Sequence, residues 1–332
     1  MTKNFIETDT YSEKLRGLSI KGDRFLISRV GGSRQEQDLS EPVICDEMAR
    51  IRHFHRATAA GWPENPLPID PCARKLGIQA PEVMRALVYQ NAACNWRCWY
   101  CYVPFELLAA DESRSSWLSA QEMVDLYLET PERPRLIDLS GGQPDLVPEW
   151  TLQMMRALTS KGVERDSYLW SDDNLSNDYF WRHLSDVDRA EMASYENYGR
   201  VCCFKGFDAA SFSFNTAATP ELFDRQFELF DRLLTTGFDL YAYVTLTSDG
   251  STDIAKGVCT FVDRLQALSE NLPLRTIPLE IREFSPVVER KLDKPFEELQ
   301  RYQSSAIEAW NEEIDRRFSG SLRGQNIVDV AL

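Results

Sequence analysis

Cys94, Cys98 and Cys101 stand together in the stretch Ala93-Cys-Asn-Trp-Arg-Cys-Trp-Tyr-Cys-Tyr102. Three thiolates at this spacing suit three irons of a cubic iron–sulfur cluster and leave the fourth iron open to a ligand. A structural zinc site would ask for paired CxxC knuckles with a fourth ligand at a recognisable offset, and no second knuckle is present. The other five cysteines, Cys45, Cys72, Cys202, Cys203 and Cys259, are scattered, which is not how the disulfide framework of a secreted domain looks. Three core cysteines would leave the polar and aromatic spacers, Asn-Trp-Arg and Trp-Tyr, without a reason.

Further residues with chemical potential recur downstream. Ser140-Gly-Gly-Gln-Pro144 is a turn whose glycines permit close backbone approach to a ligand. Trp170-Ser-Asp-Asp-Asn174 offers hydroxyl, carboxylate and amide groups, and reads equally as an Asx turn capping the next helix. Cys203-Phe-Lys-Gly206 places Lys205 just after an apolar run, where it is either a surface lysine or an anion partner. Tyr241, Tyr243, Arg282 and Glu283 are candidates for ligand or substrate contact, and equally suit barrel packing and ion pairing. Cys45, His53, His55 and Cys72, with seven, one and sixteen intervening residues, match no standard zinc module.

The cysteine spacing, with aromatic Tyr100 before the last thiol, resembles the signature of the radical S-adenosylmethionine (radical SAM) superfamily. The Ser140–Pro144 turn resembles that family's glycine-glycine-glutamate-proline motif, with Gln143 in the glutamate position. The resemblance implies a 4Fe-4S cluster on Cys94, Cys98 and Cys101, with S-adenosyl-L-methionine chelated to its open iron. Cofactor contacts would come from Tyr100, Ser140, Gly141, Gly142 and Gln143. The run ending in Asn174 is similar to the Asp-Thr-Asn-Gly strand end of glycyl-radical-enzyme activases. Cys203-Phe-Lys205 is similar to their Asp-Leu-Lys, with cysteine replacing aspartate. This likeness adds Ser171, Asp173 and Lys205 as cofactor contacts, Lys205 neutralising the cofactor carboxylate.

The implied reaction is reductive cleavage of the cofactor to a 5′-deoxyadenosyl radical, followed by hydrogen-atom abstraction from a substrate. An electron donor such as flavodoxin or ferredoxin is then expected. No residue is singled out as catalytic. The activase likeness points to a partner protein's backbone glycine as hydrogen source. A small metabolite, peptide or nucleotide is the alternative. A rival of another class is a non-catalytic protein holding structural zinc or a fully ligated cluster, with His53, His55 or Cys72 as fourth ligand.

Positioning these motifs requires a scaffold. From residue 83 onward, short apolar runs alternate with amphipathic stretches, the pattern of parallel strands joined by crossover helices. Strands are expected at 85–90, 136–140, 167–171, 200–204, 240–246 and 277–283. A capping box, Ser119-Ala-Gln-Glu122, opens the first crossover helix. Helices are expected over 149–161, 178–193, 219–237 and 252–269. The fold class is α/β, a partial (β/α)6 TIM-type barrel, in which the polar motifs fall at C-terminal strand ends as active sites of complete barrels do. Residues 1–82 read as an irregular extension wrapping the barrel, 83–285 as the core, and 286–332 as a C-terminal helical extension with a helix over 295–318.

Composition narrows the function classes. With 332 residues, 43% of them apolar, the chain supports one large core. A net charge of −15 disfavours nucleic acid as the default partner. The start of the chain lacks a charged-then-apolar signal pattern, and no apolar run approaches the ~20 residues of a bilayer span. A cytoplasmic protein is expected.

Overall fold

The computed structural model describes residues 5–288, 290 and 294–332. Ten strands occur among them: β1 (Ile20–Lys21), β2 (Arg24–Ser28), β3 (Ala49–His55), β4 (Val83–Gln90), β5 (Ser115–Ser119), β6 (Leu136–Ser140), β7 (Tyr168–Asp173), β8 (Tyr198–Phe204), β9 (Leu240–Val244) and β10 (Thr276–Pro278). Seven form one sheet in the order β10-β9-β8-β7-β6-β4-β3. From β4 to β10 all neighbours are parallel and follow chain order. Right-handed crossovers between strands laid down in order put every connecting helix on the same side of the sheet.

Side-chain alternation shows the two faces. Leu87, Leu139, Leu169, Phe204 and Val244 pack with helix residues Met123, Met154, Phe230 and Phe261. Ala86, Val88, Trp170, Val201, Cys203, Tyr241 and Tyr243 face the other way and pack with Leu67, Ile69 and Cys72. This mixed α/β arrangement fits a partial TIM-type barrel, with its C-terminal strand ends gathered at one rim.

Several elements lie where the sequence predicts them. β6 spans Leu136–Ser140, and the Ser119–Glu122 capping box opens helix Ala120–Glu129. The helix Glu149–Ser160 gives way to Gly162 at φ 68°, the left-handed conformation glycine adopts without steric cost. Helix Phe296–Arg317 buries Leu299, Ile307 and Trp310, and the Trp310 ring meets Phe261 of helix Ile254–Leu268 at a tilt of 43°. Fully burying each such side chain is worth about 1.5–3 kcal/mol.

Other expectations are corrected. The first 82 residues are not merely loops: β3 adds antiparallel to the edge of the main sheet, and β1 and β2 join β5 in a small antiparallel sheet. Helices Thr8–Ser19 and Ile69–Leu76 also belong to this segment. β7 continues through Asp172 and Asp173, residues expected in a turn. The helix expected over 178–193 is two, Tyr179–His183 and Asp186–Ser194, because Ser185 and Asp188 form a second capping box that restarts the helix. β8 is followed by an unforeseen helix, Ala209–Thr216, before helix Leu222–Leu234. β10 holds three residues; beyond it, among the described residues, only the Leu279 amide still bonds β9, at the Val244 carbonyl. No helix among the described residues is long and apolar enough to cross a membrane.

Candidate cofactor site

The cysteine loop leaves β4 at Gln90 and is anchored on three sides. The Asn91 side-chain amide donates to the Gln143 carbonyl at 2.9 Å, and the Gln143 amide donates to the Ala93 carbonyl at 2.8 Å. A Cβ on Gly142 would stand 2.5 Å from the Asn91 carbonyl oxygen and 2.6 Å from that of Ala93. Glycine is therefore required for the two loops to nest. Gly141, at φ 70°, lies against Gln90, and a Cβ there would be 2.6 Å from its Cγ.

The second anchor is the Ala209–Thr216 helix. The Arg97 and Trp99 amides donate to the Thr216 and Asn215 carbonyls at 3.0 and 3.2 Å, and Trp99 Nε1 donates to Asn215 Oδ1 at 3.0 Å. Asn215 in turn donates to the Lys205 carbonyl at 2.8 Å, tying the loop to the end of β8. The third anchor is Arg290, whose guanidinium donates to the carbonyls of Cys98, Trp99, Cys101 and Val103 and lies 4.0 Å from the Phe105 ring centroid. Sequence reading missed both Asn215 and Arg290. No local motif marks either, because each acts across a separation in chain that only the fold closes.

Cys98 is buried, and Cys94 and Cys101 are partly so. Burial pushes the Cys98 thiol up to about 12, with Lys205 opposing and Cys94 and Cys101 adding to the rise. Cys94 is raised by burial too, Arg97 pulling the other way and Cys101 reinforcing it. Cys94 and Cys98 thus lie close to each other and to Cys101, with Lys205 near both and Arg97 near Cys94. Among the described residues no three His, Cys, Asp or Glu side chains converge on a site for a single metal ion. Three thiols from one loop are the donor set that a cubic cluster takes at three of its corners. Their protons would leave on binding.

Lys205 follows β8 at the same rim. Burial works against its charge, but Cys203, Tyr100, Cys98 and Asp172 outweigh that and hold its pKa well above the usual lysine range. No hydrogen bond or ion pair ties its ammonium among the described residues. Tyr100 is buried and donates to Thr245 Oγ1 at 3.0 Å. Ser140 is buried, its hydroxyl on Asp138 Oδ2 at 3.2 Å. Gly141 and Gly142 remain partly exposed.

The side chains of the other expected contacts are engaged within the protein. Gln143 is fully buried, its Nε2 donating to Asp173 Oδ1 at 2.8 Å and its Oε1 accepting from the Asn174 amide at 2.9 Å. Both polar atoms of that side chain thus have partners within the protein. Asp173 also takes Arg200 at 2.6 Å and the Leu175 amide at 2.8 Å. Arg200 bridges it to Asp145, which burial pushes up to about 7 against the pull of Arg200. Ser171 meets the Tyr198 hydroxyl at 2.7 Å. Ser171 and Asp173 therefore face the helix layer, while Asp172, between them, faces the barrel interior.

That interior holds residues the sequence reading passed over: Asp138, Asp172, Arg50 and Arg52. An acid in the middle of Leu136-Ile-Asp-Leu-Ser140 was the available signal, since buried charges in strands demand partners. The candidate metal ligands of the N-terminal segment, Cys45, Cys72, His53 and His55, do not assemble with them. Cys45 bonds Thr130 on the helix side, Cys72 packs on the opposite face, His53 pairs with Glu41 at 2.9 Å, and His55 is exposed.

No model of a protein family matches the chain, and no curated protein does. Among solved structures it is similar to SuiB of Streptococcus suis. The crystal structure bound to the precursor peptide SuiA covers 70% of this chain and 46% of its own, at 13% identity and TM-score 0.47. The structure bound to S-adenosylmethionine covers 69% and 47%, at 13% identity and TM-score 0.45. The chain spans a little under half the length of these structures.

Proposed function

We propose that this chain is a radical SAM enzyme whose cluster-binding residues are Cys94, Cys98 and Cys101. The observation that carries the reading is the nesting of two loops at one sheet rim. The three-cysteine loop and the Gly141–Gly142 turn touch through backbone that only glycine allows, with the unpaired Lys205 ammonium beside Cys98. A 4Fe-4S cluster, when bound, supplies the electron that splits a carbon–sulfur bond of S-adenosylmethionine, giving methionine and the 5′-deoxyadenosyl radical.

The chain's own residues do the rest. The partly exposed Gly141–Gly142 backbone receives the cofactor's ammonium, and Lys205 meets its carboxylate. Tyr100 walls the site and Asn215 and Arg290 hold the cysteine loop in shape. Gln143 stands behind the glycine turn and braces it through Asp173. Ser171 and Asp173 support this brace and do not touch the cofactor. The six parallel strands form a partial (β/α)6 barrel over residues 83–285, with 1–82 wrapping it and 286–332 closing one side. The protein is cytoplasmic and takes its electron from a flavodoxin- or ferredoxin-type donor.

Of the two substrate readings, a small polar molecule is favoured over a partner protein's glycine. Asp173, which carried part of the activase likeness, is turned into the helix layer, whereas Asp138, Asp172 and Arg52 line the barrel interior below the glycine turn. The test is iron and sulfide analysis of anaerobically purified protein. About four irons with equal sulfide is expected, and Cys98→Ala should abolish both while leaving a folded chain. One zinc per chain, or an intact cluster in Cys98→Ala, would sink the reading.

A further inference from the structure

Asp138 points from the middle of β6 into the barrel interior and is fully buried. Its Oδ2 accepts from Ser140 at 3.2 Å and from Arg52 at 3.4 Å, while its Oδ1 has no hydrogen-bond partner among the described residues. Asp172 is the next inward residue after Trp170, which stands beside Asp138 on the neighbouring strand. It too has no partner among the described residues, and burial, then Asp138, push its carboxyl up to about 7. Across β4, whose inward residues Ala86 and Val88 are short, Arg52 makes that single long contact and keeps 28% of its side chain exposed. Its guanidinium lies 4.0 Å from the Phe54 ring centroid, which aims it. Arg50 is already engaged, by Tyr102 at 2.9 Å and Gln90 at 3.4 Å.

Opposite charges thus share one interior through a single long Arg52–Asp138 contact, which leaves Asp138 Oδ1 unmet and Arg52 with spare donors. Leaving a buried acceptor unmet costs about 1–3 kcal/mol, more when it is charged, and a guanidinium with spare donors adds to that. A ligand bearing a donor at one end and an acceptor at the other removes both penalties at once. A neutral heterocycle would leave both charges without a counter-charge.

We infer that Asp138, Asp172 and Arg52 are a substrate-binding subsite for the zwitterionic end of a free α-amino acid. The ammonium donates to Asp138 Oδ1 and Asp172, and the carboxylate accepts from Arg52. The inference rests on the radical SAM reading in one respect: the cofactor's own amino-acid end is assigned to the Gly141–Gly142 backbone and Lys205 at the rim, leaving the interior for substrate.

The experiment is calorimetric titration of anaerobically purified, cluster-containing protein with S-adenosylmethionine present. The probes are the standard L-amino acids singly, then the N-acetyl and amide forms of any that bind. Saturable binding of at least one is expected, with each capped form weakened about tenfold or more, as the loss of a charge-assisted hydrogen bond implies. Arg52→Gln and Asp172→Asn should each weaken it by a similar factor and leave S-adenosylmethionine affinity within about twofold. Asp138→Asn should do the same, and the half-buried Asp172 and Arg52 variants decide the matter if that core variant fails to fold. The inference is overturned if no amino acid binds, if capped forms bind equally, or if the variants weaken S-adenosylmethionine binding instead. Absence of cluster and of S-adenosylmethionine binding in the wild-type protein would overturn the enzyme reading separately.

Discussion

Gln143 Nε2 donates to Asp173 Oδ1 at 2.8 Å, a bond in which the glutamine cannot be replaced by a carboxylate. Both residues are buried, and Arg200 already neutralises Asp173. Gln143→Glu would remove the donor and set two carboxylates together in low dielectric. Such a change costs about 3–5 kcal/mol, as uncompensated buried charge does. Gln143→Ala, which loses the bonds without adding charge, should cost less. Urea unfolding of the two variants checks the order, and equal stability of Gln143→Glu and wild type would contradict the bracing role.

Gly142→Ala places a methyl 2.5 Å from the Asn91 carbonyl oxygen and 2.6 Å from that of Ala93. Overpacking of this kind costs about 1–3 kcal/mol, and here it separates the glycine turn from the cysteine loop. Reduced cluster content after anaerobic reconstitution is expected, with Gly162→Ala as a comparison: there only the left-handed φ of 68° is strained and no atom lies within 4 Å of the added Cβ.

Arg290 fans over four carbonyls of the cysteine loop. Arg290→Gln loses charged hydrogen bonds worth about 1.5–3 kcal/mol each. Alkylation of Cys98 and Cys101 in cluster-free protein should then be at least about tenfold faster, because the loop opens more often. Arg290→Lys, a point charge without the planar fork, should recover only part of the protection. Unchanged alkylation rates in Arg290→Gln would show that the clamp does not hold the loop.

Asp172 binds its proton more tightly when folded, about 7 against an ordinary 3.8, through burial first and Asp138 second, with Arg52, Lys205 and Arg50 opposing. A raised folded value means that its stabilising contribution is complete below pH ~4 and is lost as pH rises through about 7. Stability of the cluster-free protein should therefore decline across that window. Asp172→Asn should lessen the slope, and Asp145, also pushed up to about 7, should keep part of it. Thermal unfolding at a series of pH values reads this directly, and an unchanged slope in Asp172→Asn would refute it.

How far the residues announce the structure depends on the range of the interaction. Cys94, Cys98 and Cys101 and the Ser140–Pro144 turn could be read locally, and β6 could be bounded to the residue because apolar periodicity and glycine punctuation act over a few positions. The parity of β7 could not. Taking Asp172 and Asp173 as a turn hid the fact that a strand continuing past Ser171 sends alternate residues to opposite faces. What keeps Asp173 in the sheet is Arg200, a charge from the next strand. β3 was obscured for a similar reason. Arg50 and Arg52 make Ala49–His55 look like a loop until the interior carboxylates are in view. The Ala209–Thr216 helix has little amphipathic contrast in its sequence, and its value lies in Asn215 and Thr216, which hold a loop more than a hundred residues earlier in the chain.

The most direct measurement is 5′-deoxyadenosine formed by anaerobic protein with reconstituted cluster, S-adenosylmethionine and dithionite. With the amino acid that binds the interior included, a radical SAM enzyme releases 5′-deoxyadenosine, and substitution of Cys94, Cys98 or Cys101 by alanine abolishes it. A fully loaded protein that binds S-adenosylmethionine and substrate yet forms none, or a triple-cysteine variant that forms as much as wild type, would contradict the central claim.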